Sequence, residues 1–425
     1  MEREVLVYAE LAGVPVLVGR LWSHLRGGKE SASFEYDRTW LARKGGFALE
    51  PELPFSAGQF HSARPLFNVF GDASPDRWGQ NLLRRNERAR ARNEGRTPRT
   101  LFAFDFLTGV ADETRLGALR FQDARGSFLS SLGRPVPPLF ELGRLLAATR
   151  RIVEERETDA DLELVLAPGT SLGGARPKAS IRDRDGALAV AKFPRQDDDV
   201  PVTRWEATAL ALASNAAIDV PPFRLELVAK RPVTIVRRFD RRGAVRIPFV
   251  SALTALAAAD GESRSYLEIA EAIRREGSQV DRDLKQLWRR MVFNILISNT
   301  DDHLRNHGFV RDAAGWRLAP AYDLNPTPTD VRPRIHALAI DELDATASLE
   351  TALSVAPSFG VAKASAARTI AREVARAVAK WPDAAGKAGI GPRQRDRMAS
   401  AFEHDDARLG RGVRAPVEPS KSRRR

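Results

Sequence analysis

Cysteine is absent from this 425-residue chain. Disulfides, thiol nucleophiles and cysteine-ligated zinc are therefore excluded, and the composition suits a reducing compartment. No apolar run approaches the roughly 20 residues that span a bilayer as a helix. Met1-Glu2-Arg3-Glu4-Val5 is not a basic stretch leading into an apolar core. A secretory signal is not expected, and a soluble, cytoplasmic protein without a membrane partner is. No internal repeat is found.

What is present is ordinary for a globular protein: 43% hydrophobic and 29% charged residues, enough chain for two or three domains. The 67 basic residues exceed the 55 acidic ones, leaving +12. Such an excess can attract nucleic acid or acidic proteins. Arginine, however, is spread over segments that read as solvated helix, and high Ala with high Arg suits a GC-rich coding bias. The tail Ser420-Lys-Ser-Arg-Arg-Arg425 is expected to be disordered.

Residues 5–20 alternate around Gly13-Val14-Pro15 and predict a hairpin, and Phe34–Tyr36 a further strand. A helix is expected from Asp76, with Ser74 as its cap and Pro75 at its first position. Arg84–Arg99 reads as an exposed helix end and loop. Leu116–Phe121 returns to strand. Pro135-Val-Pro-Pro138 marks a boundary. An amphipathic helix (Leu139–Glu155), a Gly-rich loop (169–178), a strand (Ala187–Phe193), a helix from about Thr203 and a strand (Val233–Phe239) follow. Beyond residue 250 helices dominate. Asp281–Ser298 carries Leu284, Leu287, Trp288, Met291, Val292, Ile295 and Leu296 at helical spacing, and Ala362–Trp381 is an Ala-rich helix with an Arg face.

The chemistry concentrates after that buried helix. Asp301 and Asn306 have the D-x-x-x-x-N interval of a protein-kinase catalytic loop, and Asp323 follows two strand-like runs. Phosphoryl transfer needs a base and oxygen ligands for magnesium, because it is mostly positioning and charge neutralisation. Asp301 is the candidate base; Asn306 and Asp323 are the candidate ligands. His303 can orient the loop or touch a phosphate. His303 and His307 also have the spacing of a helical metal pair, but H-E-x-x-H is missing and Gly308 interrupts. Upstream, Gly173 and Gly174 allow a phosphate to approach the backbone, although a Gly-rich turn is often only a turn. Lys192 at a strand end can meet phosphates or simply snorkel to water. Glu206 can pair with Lys192 or serve as a helix-start acid. Arg237-Arg238-Phe239 falls where a kinase has its hinge, or is a plain strand end.

Four stretches together resemble the HipA family of serine/threonine kinases, the toxin halves of bacterial toxin–antitoxin pairs. They are Pro75–Gly79 with Arg115–Phe121, Ser171-Leu-Gly-Gly-Ala-Arg-Pro-Lys178, Asn299-Thr-Asp-Asp-His-Leu-Arg-Asn306 and Pro320-Ala-Tyr-Asp-Leu324. The resemblance implies an α+β, two-lobed protein-kinase-like fold. Its parts would be an extra N-terminal α+β subdomain (1–125), a nucleotide-binding lobe (139–245), an all-helical C-terminal lobe (246–412) and a basic tail (413–425). It implies ATP and Mg²⁺, with Asp301 as base and Asn306 and Asp323 as metal ligands. Gly173, Gly174, Ala175, Arg176, Pro177 and Lys178 would form the phosphate loop, and Lys192 would hold the phosphates. Arg237, Arg238 and Phe239 would form the hinge. His303, Leu304, Arg305, Asn306, Tyr322 and Asp323 would flank the nucleotide. Ser171 matches a serine that such kinases autophosphorylate, where added charge beside the γ-phosphate would repel ATP. The implied partners are a helix-turn-helix antitoxin of the HipB kind, DNA only through that antitoxin, and a protein substrate such as an aminoacyl-tRNA synthetase. Pro177 and Arg237 depart from the pattern, each standing where an acid can occur. Two other readings remain: a catalytically weak partner of a helix-turn-helix repressor, and a kinase for a small molecule.

Overall fold

The computed structural model describes residues 2–129, 135–166, 174, 176–342 and 344–412. Ser171, Gly173, Ala175 and the tail 413–425 lie outside the described residues.

The alternating N-terminal sequence forms a five-stranded antiparallel sheet. Its order in space is Gln59–Ser62, Lys29–Tyr36, Val14–Arg26, Glu2–Leu11, Leu119–Gln122. Val5, Val7 and Ala9 point to one buried face, as a period of two requires. The first hairpin turns at Ala12-Gly13, both at positive φ (51° and 83°). Such a turn matches the twist of the paired strands.

The next helix runs Arg77–Asn93, and Asp76 rather than Ser74 caps it, accepting from the Gly79 N–H at 3.0 Å. Ser74 instead donates to the Phe70 carbonyl at 2.8 Å. Arg84–Arg99 is a helix end and loop as expected, exposed from Arg92 to Arg99, but its helical part also has a buried side. Leu82, Ala89 and Ala91 are buried, and Arg85, Arg92 and Arg96 are tied to Glu157, Asp159 and Glu87.

A second antiparallel sheet orders Lys178–Arg182, Leu188–Lys192, Arg231–Arg237 and Phe223–Val228. Ala179, Ile181, Ala189 and Ile235 on its buried face share a core with the helices Leu142–Val153 and Asp159–Leu166. Trp78 and Leu82, from before the proline-rich boundary, belong to the same core. The first 125 residues are therefore not self-contained: their helix completes the smaller lobe.

The helix Val202–Asn215 turns Trp205, Leu210 and Ala213 into the large core instead. That core centres on the helix Val280–Leu296, where Leu287, Trp288, Met291, Phe293 and Ile295 are fully enclosed. Helices Tyr266–Glu276 and Ala364–Val378 pack against it. The all-helical expectation for this lobe holds for its interior but not for its front. There Phe249–Ser251, Gly308–Arg311 and Trp316–Leu318 form a three-stranded antiparallel sheet. The strands are needed because the chain must leave the 301–306 loop and return to Asp323 with its backbone groups paired. Among the described residues no helix is long and apolar enough to cross a membrane.

The N-terminal region is bolted to the turn that follows the second sheet. Asp240 is wholly buried and accepts from Arg238 Nε and Nη2 at 2.6 Å each, from Arg241 Nη1 at 2.6 Å and from the Gly117 N–H at 2.7 Å. Arg238 reaches on to the Thr114 carbonyl at 2.9 Å.

Candidate active site

The strand Leu188–Lys192 delivers Lys192 to the cleft, and the first turns of the Val202–Asn215 helix deliver Glu206. Lys192 Nζ donates to Glu206 Oε1, and Asp323 Oδ1 from the large lobe lies 3.4 Å away. Both carboxylates hold the ammonium protonated against its burial. Burial pushes the Glu206 carboxyl up, and Lys192 pulls it back. Burial acts the same way on Asp323, but Lys192 and Lys178 overcome it and leave this carboxyl below its usual range. Asp323 is therefore an anion at neutral pH, at the seam of the two lobes. Its backbone is left-handed, at φ 57°. That conformation costs energy for a residue with a side chain and is typical of functional positions.

The loop after the buried helix is tied to the residue before Asp323, the Tyr322 hydroxyl donating to the Arg305 carbonyl at 2.8 Å. The helix ends at Leu296, and Ser298, at φ 51°, turns the chain out. Asn299 Nδ2 donates back to Asn294 Oδ1 at 3.1 Å. The two adjacent acids then part. Asp301 is exposed, its side chain 68% accessible, with Arg332 Nη1 at 3.4 Å. Asp302 is buried at 2% and accepts from His307 Nε2 at 2.8 Å and from the Tyr266 hydroxyl. Burial alone would raise the Asp302 carboxyl, but His307 and Tyr266 bring it below the usual range. A carboxylate thus anchors the loop from beneath while its neighbour stays exposed above, with only Arg332 beside it. Asp302→Ala is expected to destabilise the fold by about 1–3 kcal/mol, as leaving the buried Tyr266 hydroxyl and His307 Nε2 without their acceptor does. Because the folded-state value is depressed, this stabilisation is full above the unfolded value of about 3.9 and fades as pH falls through the folded one. Urea titrations at pH 7 and pH 3 measure both effects.

Asn306 Nδ2 donates to the Asp301 carbonyl at 3.1 Å, which leaves Oδ1 buried with no hydrogen-bond partner. An orphaned amide oxygen is costly unless a cation or donor meets it. With Asp323 it is the donor set a hard cation such as Mg²⁺ accepts when phosphates and water complete the shell. Asn325 Nδ2 steadies Asp323 Oδ1 at 3.3 Å. His303 Nδ1 is likewise buried without a partner. His303 and His307 do not act as a pair, since His307 is committed to Asp302. Among the described residues no group of three or more His, Cys, Asp or Glu is placed to hold a metal.

The remaining candidates divide. Tyr322 donates its hydroxyl to the Arg305 carbonyl at 2.8 Å and stacks on Phe239 at 5.5 Å, joining the end of the second sheet to the loop. Leu304 is buried beneath. Arg305 turns towards Asp260 at 3.3 Å and Asp72 at 3.7 Å. Lys178 is buried, with Nζ on Asp76 Oδ2 at 2.5 Å and the Gly174 carbonyl at 3.3 Å. Arg176 pairs with Asp198 at 2.7 Å, and the Pro177 carbonyl accepts from Phe193 N–H at 2.9 Å. In the hinge stretch two of the three side chains are engaged elsewhere. The Arg238 side chain is enclosed on Asp240, and Arg237 points to Asp185. Their N–H groups are also taken, by the Leu188 carbonyl at 3.0 Å and the Pro222 carbonyl at 2.8 Å. Of the three, Phe239 keeps a place beside the cleft through its ring.

Sequence reasoning missed Asp302, Tyr266, Arg332 and Asp72. The Asp-Asp doublet was a visible signal for the first; the others come from distant segments.

The HipA N-terminal domain family matches residues 15–122 and the HipA-like C-terminal domain family matches residues 170–381. The chain belongs to the HipA family. A protein of Sinorhizobium fredii (strain NBRC 101917 / NGR234) named "Putative kinase Y4mE" is 29% identical over 324 residues, 69% of this chain and 72% of that one. The HipA of Shewanella oneidensis MR-1, solved with HipB and its operator DNA, superposes over 97% of this chain and 100% of its own, with a TM-score of 0.67 at 15% identity. At that identity the likeness establishes the fold: this HipA-family chain has the two-lobed arrangement over nearly its whole length.

Proposed function

We propose that this HipA-family chain is an ATP- and Mg²⁺-dependent serine/threonine protein kinase. The observation that carries the reading is the meeting of Lys192, Glu206 and Asp323 across the lobes, tied through Tyr322 to a loop that offers the exposed Asp301 and the orphaned Asn306 Oδ1. Lys192, fixed by Glu206, neutralises phosphate oxygens. Asn306 and Asp323 hold the magnesium, which supplies charge neutralisation at the transferring phosphoryl group. Asp301, accessible from solvent, accepts the proton of an incoming hydroxyl. A base this exposed suits a side chain presented by another protein better than an enclosed small molecule. Family membership supports the finer reading. The substrate would be a translation component such as an aminoacyl-tRNA synthetase, with growth arrest when a HipB-like helix-turn-helix antitoxin is lacking. Contact with DNA would come through that antitoxin.

The purified chain, first treated with phosphatase, is incubated with labelled ATP and Mg²⁺, and the peptide holding Ser171 is analysed by mass spectrometry. One added phosphate on Ser171, absent without Mg²⁺, is expected. A dephosphorylated protein that neither labels itself nor turns over ATP would favour the partner role alone, with operator binding unchanged in an Asp301→Asn variant.

A further inference from the structure

The chemistry proposed above leaves one charged segment unused: Ser420-Lys421-Ser422, followed by Arg423, Arg424 and Arg425. Where that segment is attached bears on its use. The last helix, Asp405–Gly410, is clamped beside the root of the 301–306 loop. Asp406 holds Arg334 Nη1 at 2.6 Å and accepts from the Leu349 N–H at 2.7 Å. The same arginine donates to the Ile295 carbonyl at 2.9 Å and to Ser298 Oγ at 3.2 Å. Gly410 packs on the Leu296 side chain, at the end of the helix that delivers Asp301. The described residues end at Gly412, so the chain beyond starts next to that junction. Consecutive Cα atoms are about 3.8 Å apart, which puts Asp301 at most about 19 Å from Leu296. Extended chain brings Ser420 and Ser422 anywhere within roughly 26–36 Å of Gly412, which covers that path.

Charge favours the same place. The chain carries +12, yet the surface beside Asp301 is acidic. Segment 327–337 is pinned at both ends, the Thr327 N–H on the Ser298 carbonyl at 3.2 Å and the Ala337 N–H on the Thr300 carbonyl at 3.1 Å. It exposes Asp330 and Arg332, and Arg332 lies 3.4 Å from Asp301. Its His336 N–H meets the Ala345 carbonyl at 2.7 Å, which brings the exposed Glu342 and Asp344 alongside. The segment's other internal arginine, Arg334, is occupied by Asp406. Three exposed acids besides Asp301 thus border the candidate base, with one exposed arginine among them.

We propose that the chain's own tail is a substrate of this site, with Ser420 or Ser422 as acceptor and the flanking Lys421 and Arg423 to Arg425 held by Asp330, Glu342 and Asp344. The inference rests on the kinase reading. The serine Oγ attacks the γ-phosphorus of ATP and gives its proton to the Asp301 carboxylate. The bond to the β,γ-bridging oxygen breaks, and ADP leaves. The tether makes the reaction intramolecular, at the high effective concentration of a linked partner. Phosphoserine then sets nearly two negative charges beside these acids, which expels the tail after transfer.

Two experiments on the phosphatase-treated full-length chain test this. In the first, without nucleotide, a carbodiimide joins lysines to carboxylates in direct contact, and the products are mapped by mass spectrometry. Cross-links from Lys421 to Asp330, Glu342 or Asp344 are expected. None, or links only to distant carboxylates, would overturn the docking. In the second, labelled ATP and Mg²⁺ are added, and the peptide released by cleavage before Asp406 is analysed. One phosphate on Ser420 or Ser422 is expected, with a rate constant unchanged over about a hundredfold range of protein concentration. A rate rising in proportion to concentration would mean transfer between molecules and would overturn the tethered acceptor. Arg423→Glu, Arg424→Glu and Arg425→Glu together should slow tail labelling at least about tenfold, and an unchanged rate would overturn recognition by these acids. Label on Ser171 with none on the tail would sink this proposal and leave the kinase reading standing. Label on neither, with no turnover of ATP, would take down both.

Discussion

Asp301→Asn is expected to lower phosphoryl transfer by about 10²–10⁴-fold, the usual contribution of a positioned general base, while nucleotide binding changes little. Asp301 is exposed and its carboxylate bonds no backbone N–H, so the substitution removes a proton acceptor rather than a structural anchor. Asparagine keeps the backbone carbonyl that Asn306 Nδ2 uses at 3.1 Å, and so keeps the orphaned Oδ1 in place. Arg332 loses an exposed ion pair at 3.4 Å, an interaction worth well under about 1 kcal/mol. The measurement is single-turnover transfer from labelled ATP, beside nucleotide affinity by calorimetry. A variant that retains more than about a tenth of the rate would remove Asp301 from the role of base. One that loses nucleotide binding in equal measure would assign it to the ground state instead.

Asp240→Ala should cost about 3–5 kcal/mol of folding stability, since it strands two arginines inside the protein. Arg238 is fully buried and Arg241 nearly so, with side chains 0% and 6% exposed, and both converge on Asp240. Burial by itself would raise the Asp240 carboxyl; Arg238 and Arg241 reverse that and hold it far below the usual range. A depressed folded-state value means the contribution is complete above the unfolded value of about 3.9 and is lost as pH falls through the folded one. The Gly117 N–H loses its acceptor as well. The junction between the N-terminal region and the second sheet should therefore loosen first. Urea unfolding gives the magnitude, and hydrogen exchange at Gly117 and Arg238 the location. Arg238→Met placed on the same background should recover part of the loss, because the uncompensated charge is then gone. A loss under about 1 kcal/mol would mean that water enters and resolvates the arginines.

The readable parts of the site were those built from neighbours in sequence. A lysine at a strand end and a glutamate in the helix that follows are brought together by the crossing of two adjacent elements. The Asp301 to Asn306 spacing places both on one turn of loop. The unreadable parts depend on which way a side chain faces once distant segments have packed. Asp301 and Asp302 are chemically the same in the sequence. Only Tyr266 and His307 beneath the loop settle that the second is swallowed and the first left exposed. Nothing in the position of Arg238 told that Asp240 and the Thr114 carbonyl would claim its side chain. The cap at Asp76 went unread in favour of Ser74, because the choice rests on where the Gly79 N–H points.

The sequence by itself determined the absence of thiol chemistry, the alternating and helical segments, and the local order of lysine, glutamate, D-x-x-x-x-N and aspartate. These follow from composition, from periodicities of two and 3.6, and from short spacings, all of which act within a few residues. The tertiary structure alone decided that Trp78 completes the smaller lobe's core, that Asp323 meets Lys192 across the cleft, and that Glu50 is buried against the Val69 N–H. Each of these joins segments far apart in the chain. Such contacts are selected by the burial of whole faces and the pairing of enclosed charges, and no local pattern carries that information.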